Sequence, residues 1–213
     1  MRIGFALRLA CFGLGAALAP AHAQSVKLSP VESYTVVYSV SGAQSGTLTE
    51  YSRGFGIEQV QENDLTLPGG LTSRVRLITR ADIVVSYDPT SNRAGSIANP
   101  SYARLAATAA GKDGRDLTNA LLQSLTFVPT GRMENYAGEA CMVWESSQLS
   151  QTRCVTPDGI AVHMRIAAQG VEIERTAQSV ARGEPGPDSV YAPPDGVNVA
   201  PVASMNLLPG LGG

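Results

Sequence analysis

Tyr34-Thr35-Val36-Val37-Tyr38-Ser39-Val40 decides the fold class. Tyr34, Val36, Tyr38 and Val40 alternate with Thr35, Val37 and Ser39. That is the period of a β-strand with an aromatic and β-branched face. Ser41 to Gly46 is a turn, Thr47 to Arg53 a second strand, and Ile57 to Gln61 a third. Gly54-Phe55-Gly56 between them reads as a strand bulge. Asp64 to Gly70 reads as a loop. Ser73 to Arg80 alternates again, with Val75 and Leu77 against Arg74 and Arg76, and Ile83, Val85 and Tyr87 continue the pattern. Asp88 to Asn92 is a turn.

The period then changes. Asn99-Pro100 reads as the cap and first residue of a helix in which Tyr102, Leu105, Ala106 and Ala109 share a face. Gly111 can end it. A second helix is expected from Arg115 to Leu125, with Leu117, Ala120, Leu121, Ser124 and Leu125 as its stripe and Asp116 favoured by the helix dipole near its start. Strand pattern returns at Arg132. Pro157-Asp158-Gly159 is a tight turn, Ile160 to Ile166 alternates, and Val171, Ile173 and Arg175 alternate with Glu172 and Glu174 on a wetter face. Pro residues crowd the region after Arg182, where Val190 to Ala192 could add an edge strand. Strands, a helical pair and more strands make an α+β domain with a curved, mostly antiparallel sheet, a half-open β-barrel with the two short helices packed on its concave side. The organisation expected is a signal peptide over 1–23, one domain over 24–198 and a flexible Pro/Gly-rich tail over 199–213.

The first 23 residues carry the export reading. Arg2 and Arg8 precede an apolar run from Leu9 to Ala19 that Pro20 breaks, and Ala21-His22-Ala23 is an A-x-A cleavage site. A lipid anchor at Cys11 is the rival; Arg8, three residues before it, stands where an apolar side chain is wanted. Arg outnumbers Lys and Ala and Gly abound, a bacterial composition that puts the protein in the periplasm or the medium. No later apolar run is long enough for a transmembrane segment.

The chain has 213 residues, 16 basic and 18 acidic side chains, and a net charge of −2. This balance argues against nucleic acid as a partner. Cleavage after Ala23 leaves Cys141 and Cys154 as the cysteines and His163 as the histidine. In an oxidising compartment the two thiols default to a disulfide. A hairpin turning around residues 147–148 would set Cys141 directly opposite Cys154, with 143 opposite 152. A reactive or metal-binding pair is the alternative. There is no C-x-x-C, no G-x-S-x-G, no P-loop and no dinucleotide fingerprint, so neither catalytic residues nor a cofactor or metal are expected. His163 falls on the outer, solvated face of its strand. Arg74, Arg76 and Arg80 form an exposed basic row, either a solvated face or an anion site. The face made by Tyr34, Val36, Tyr38, Val75, Leu77, Tyr87 and Trp144 with Leu117 and Leu121 of the second helix is either plain core or the lining of a ligand cavity.

Several phrases resemble a known group. The strand Tyr34–Val40, the segment Asp82–Asp88, Gly138-Glu139-Ala140-Cys141-Met142-Val143-Trp144, Cys154-Val155-Thr156-Pro157-Asp158-Gly159-Ile160 and Tyr191-Ala192-Pro193-Pro194-Asp195-Gly196-Val197 are similar to small secreted bacterial domains of uncharacterised function. Those domains share the fold of the periplasmic lipoprotein-localisation carriers (LolA/LolB-like). The resemblance covers about residues 30–198. It implies a half-open antiparallel barrel whose helices close an apolar cavity for acyl chains. The expectation is a non-enzymatic carrier or binding protein for an apolar or amphipathic ligand, a lipid or a lipoprotein acyl chain. The alternative is a cell-envelope protein-interaction module without a ligand cavity.

Overall fold

The computed structural model describes residues 26–168 and 170–202; the proposed signal peptide and its cleavage site lie outside them. Strands β1 (Tyr34–Gly42), β2 (Ser45–Arg53), β3 (Glu58–Thr66), β4 (Thr72–Arg80), β5 (Ile83–Asp88) and β6 (Arg93–Ala98) come first. Helices α1 (Tyr102–Ala109) and α2 (Gly114–Ser124) follow. Strands β7 (Val128–Tyr136), β8 (Glu139–Ser146), β9 (Gln151–Val155), β10 (Ala161–Ala168) and β11 (Val171–Arg182) complete the second half, and a short 3-10 turn (Asp188–Tyr191) and β12 (Val199–Pro201) end it.

All twelve strands form one sheet in the order β12-β6-β5-β4-β3-β2-β1-β11-β10-β9-β8-β7. Strands β1 to β6 and β7 to β11 are each an antiparallel meander, and β1 pairs with β11 to join them from Tyr34↔Arg182 to Gly42↔Ile173. The segment from β6 to β7 must therefore cross nearly the whole width of the sheet. It does so as the helical pair, lying over one face, as the alternation pattern implies. A sheet this wide coils rather than staying flat.

On the helix side, β1 supplies Tyr34, Val36, Tyr38 and Val40, all buried. Across from them on β2 are Ser52, Glu50 and Leu48. On the other side Tyr51, Val60, Ile78 and Val85 stand in a row through the register of β2 to β5. Val190 and Tyr191 of the 3-10 turn cover that row. Residues 190–192 are thus a helical turn and not the edge strand expected, because their two large side chains are needed as a lid. Gly186 allows the approach: its φ is +75°, and a Cβ there would stand 2.3 Å from a Tyr51 ring carbon. The Arg74, Arg76, Arg80 row is not simply solvated. Arg74 pairs with Asp64, Arg76 with Glu62 and Arg80 with Glu58. Arg76 also donates to the carbonyls of Ser189 and Ala192, and Arg80 to that of Tyr191. These contacts fasten the C-terminal segment to the sheet.

Several boundaries move. β6 falls where no strand was expected, and β3 runs on into the supposed loop. Gly54–Ile57 is the β2–β3 turn and no bulge. Helix α1 begins slightly later than Asn99-Pro100 suggests. Ser101 is its cap, while the Asn99 side chain accepts from the Ser101 N–H and donates to the Ala81 carbonyl. Asp113 caps α2. The tail is ordered at its start, since β12 lies parallel to β6 from Val199↔Ala94 to Pro201↔Ser96.

The disulfide Cys141–Cys154 is present, with its Cα atoms 5.3 Å apart. Its register differs from the expectation. Cys154 lies opposite Val143, and Glu145 opposite Thr152, so the turn covers residues 147–150 and the bridge runs diagonally. Same-face neighbours two residues apart across a hairpin are still close enough to be joined.

Candidate functional site

A cavity of about 370 Å³ lies between the helices and the sheet. Its roof is apolar: Leu105 from α1, and Leu121, Leu122 and Leu125 from and just after α2. The one-sided helices predict this, since the stripe facing the sheet carries the leucines. Tyr102 and Asn99 stand at the α1 end, and Leu28 to Pro30 of the lead-in close another side.

The floor is mixed. Tyr34 and Tyr38 rise from β1, Glu50 from β2, Gln59 and Gln61 from β3, Arg153 from β9, Met164 from β10 and Arg175 from β11. The Tyr34 hydroxyl donates to Glu50 Oε1 at 2.8 Å, and the Gln61 amide donates to Glu50 Oε2 at 3.2 Å. The Tyr38 hydroxyl donates to the Ala161 carbonyl at 2.6 Å. Burial, and after it the charge of Glu50, holds both tyrosine hydroxyls well above the usual phenol range. Arg153 donates from Nε to Gln151 at 2.8 Å, and its guanidinium lies 4.7 Å from the Phe127 ring centre. Arg175 keeps a buried Nε without a hydrogen-bond partner. Burial draws both guanidinium groups below their usual range, against the pull of Glu50.

Of the residues expected to line a cavity, Tyr34, Tyr38 and Leu121 do so. Val36 is fully buried between the two tyrosines, and Leu117 is fully buried in α2. Trp144 packs beside the cavity with Leu122, Phe127 and Val155. Val75 and Leu77 share the helix-side parity of β4, where Leu77 opposes Gln61, but lie off the lining. Tyr87 faces the other way: it pairs with Arg76 across β5 and β4, and its hydroxyl donates to Asn92. The strand alternation places Tyr87 and Val85 on one face and Val84 and Ser86 on the other, and the register to β4 decides which face that is.

His163 corrects a second expectation. It does point away from the helices, but that face is not wet: the residue is 9% exposed. The β7 end of the sheet curls back, so that the Tyr136 ring stacks on the imidazole at 4.4 Å, and His163 Nε2 lies 2.8 Å from Glu174. The imidazole stands apart from the cavity.

The floor residues Glu50, Arg153 and Arg175 were not anticipated. One signal was available for Arg175. It shares strand parity with Val171 and Ile173, the drier face, so it is a charge on an apolar stripe.

No protein-family model matches the chain, and no curated protein matches it. Among solved structures, an uncharacterized conserved protein from Thermus thermophilus superposes with a TM-score of 0.53. Identity is 9%, over 81% of this chain and 91% of that one. The two chains share a fold. At that identity the likeness is one of fold alone. Pseudomonas aeruginosa MucB, in its complex with MucA, gives a TM-score of 0.39 at 8% identity over 75% of this chain and 55% of that one. A DUF1329 family protein from Desulfovibrio piger gives 0.36 at 10% identity over 78% and 91%.

Proposed function

We propose that this is an exported, non-enzymatic binding protein that holds an apolar or amphipathic ligand, such as a lipid or a lipoprotein acyl chain, between its helical pair and its curved sheet. The observation that carries this is the 370 Å³ space under a leucine roof. It falls in the size range of small-ligand sites, and its charged groups, Glu50, Arg153 and Arg175, all stand on the sheet side. The disulfide supports export to an oxidising compartment, the periplasm or the medium. Among the described residues no helix is long and apolar enough to cross a membrane. The only imidazole among those residues is stacked on Tyr136 and away from the cavity, which supports holding over catalysis.

The test is native mass spectrometry of protein purified from cells, with lipid extraction and reloading. Co-purified lipid, or stoichiometric uptake of fatty-acyl probes, is the expected result. A bare mass with no uptake of any acyl probe refutes the proposal.

A second reading, a protein-interaction module of the envelope, is favoured by one feature. The terminal strand β7 exposes Val128 and Met133 at 60% and 58%. An edge that pairs with no further strand among the described residues, and that carries apolar side chains, suits strand addition by a partner. Val128→Lys with Met133→Lys would abolish such pairing and leave acyl-probe uptake intact.

A further inference from the structure

Three charged side chains line the cavity: Glu50, Arg153 and Arg175. Their hydrogen bonds do not cancel one another. Glu50 uses one oxygen for Tyr34 and the other for Gln61, both neutral donors. Arg153 gives Nε to Gln151, also neutral. Arg175 has a buried Nε with no partner. Among the described residues neither guanidinium lies within ion-pair distance of a carboxylate, whereas Arg53, Arg76, Arg80, Arg165 and Arg182 each do. The paired arginines, which include Arg74 and Arg132 as well, all keep solvent contact, where pairing matters least; Arg153 and Arg175 line the cavity, where an unmet charge costs most. The cavity therefore carries one positive charge in excess, with open guanidinium donors on its floor and hydrocarbon on its roof.

We infer that the ligand is an anionic amphiphile, its acid headgroup accepted by Arg153 and Arg175 and its alkyl chain lodged against Leu105, Leu121, Leu122 and Leu125. This rests on the binding-protein reading and names its ligand class. A planar guanidinium presents paired donors to a carboxylate or a phosphate, so the shared chemistry is an oxyacid on an alkyl chain. Tyr38 is not available to compete for it, since its hydroxyl is committed to the Ala161 carbonyl.

Four probes of one chain length separate the terms: dodecanoate, dodecyl phosphate, dodecanol and dodecyltrimethylammonium, each below its micellar concentration. Binding to the full protein can be followed by calorimetry and by the fluorescence of Trp144, which packs against Leu122 on the cavity roof. The anions should bind roughly tenfold to a hundredfold more tightly than the alcohol, the span a hydrogen bond to a charged group is worth, and the cation least of all. Whether dodecanoate or dodecyl phosphate leads distinguishes a fatty-acid cargo from a phospholipid-derived one. Arg175→Met should bring the ratio of anion to alcohol affinity most of the way to one; Arg153→Met is the second variant. Equal binding of anion and alcohol overturns the inference and leaves the binding-protein reading standing. No uptake of any probe overturns both. The four-probe comparison on the parent protein decides the matter even if both variants fail to fold.

Discussion

The crosslink between β8 and β9 allows the most direct quantitative test. Cys141 and Cys154 are both fully buried and close a short loop of sequence separation 13. In the chain-entropy treatment, releasing a loop of that size costs about 3 kcal/mol, because the unfolded chain regains freedom. Replacing both residues by Ala avoids placing lone hydroxyls in an apolar site. The hairpin keeps its register without the sulfurs, since β8 and β9 are paired as an antiparallel ladder from Met142↔Val155 to Ser146↔Gln151. The native structure therefore changes little, and the loss should appear almost wholly in the unfolding equilibrium. For a domain of this size, about 3 kcal/mol lowers the melting midpoint by roughly 6–12 °C. Circular-dichroism melts of parent and double variant measure this. The parent with reductant added during unfolding should approach the variant, and the variant should ignore reductant. Parent and variant midpoints within about 2 °C would refute the reasoning, because the bridge would then not restrain the unfolded chain as argued.

Other perturbations probe other parts of the molecule. Tyr191→Ala uncovers the Val60, Ile78, Val85 row and loses the hydroxyl bond to the Pro185 carbonyl; a loss of about 3–5 kcal/mol in denaturant titration is expected. Gly186→Ala places a Cβ against the Tyr51 ring at a positive φ and should cost more than about 1 kcal/mol by the same measurement. For Asp158, burial alone would raise the carboxyl, but hydrogen bonds from Arg182 and Thr156 hold it below its ordinary value. Its stabilisation is thus complete above the ordinary carboxylate range, about pH 4, and is lost as pH falls through the depressed folded value. Asp158→Asn should flatten the acid side of a melting-midpoint profile. Burial leads the shifts that push Tyr136 and Tyr191 up to about 12 and raise Tyr34 and Tyr38 well above the usual phenol range. The unfolded chain ionises first, so stability should fall as pH rises past about 10, with phenolate absorbance of these four appearing only on unfolding.

Much of the architecture could be read from side-chain period. β1, the β4–β5 hairpin and both helices announce themselves because their apolar residues repeat at two or at three and four. β6 does not, because Arg93-Ala94-Gly95-Ser96-Ile97-Ala98 contains a single β-branched residue; it is a strand because β5 and β12 pair with it on either side. Period identifies two faces of a strand but does not say what covers each. That is why His163 was placed in water although Tyr136 lies on it, and why Tyr87 was grouped with the cavity although it faces the opposite way. The diagonal bridge needed the turn length, which the four residues from Ser147 to Ser150 leave open by two positions. The charged floor was hidden for a different reason. Glu50 sits far in sequence from Arg153 and Arg175, and the three are gathered only by the pairing of β1 with β2 and β11 and of β10 with β9 and β11.

The same pairing has a bearing on how the chain matures. β1 and one of its two neighbours, β11, are separated in sequence by nine strands and both helices. The seam between the halves cannot form until β11 has been made, and closing so large a loop is slow. The first meander, β1 to β6, is thus complete well before the seam that joins it to the second. Arg182, which pairs with Tyr34, closes that seam at its far end.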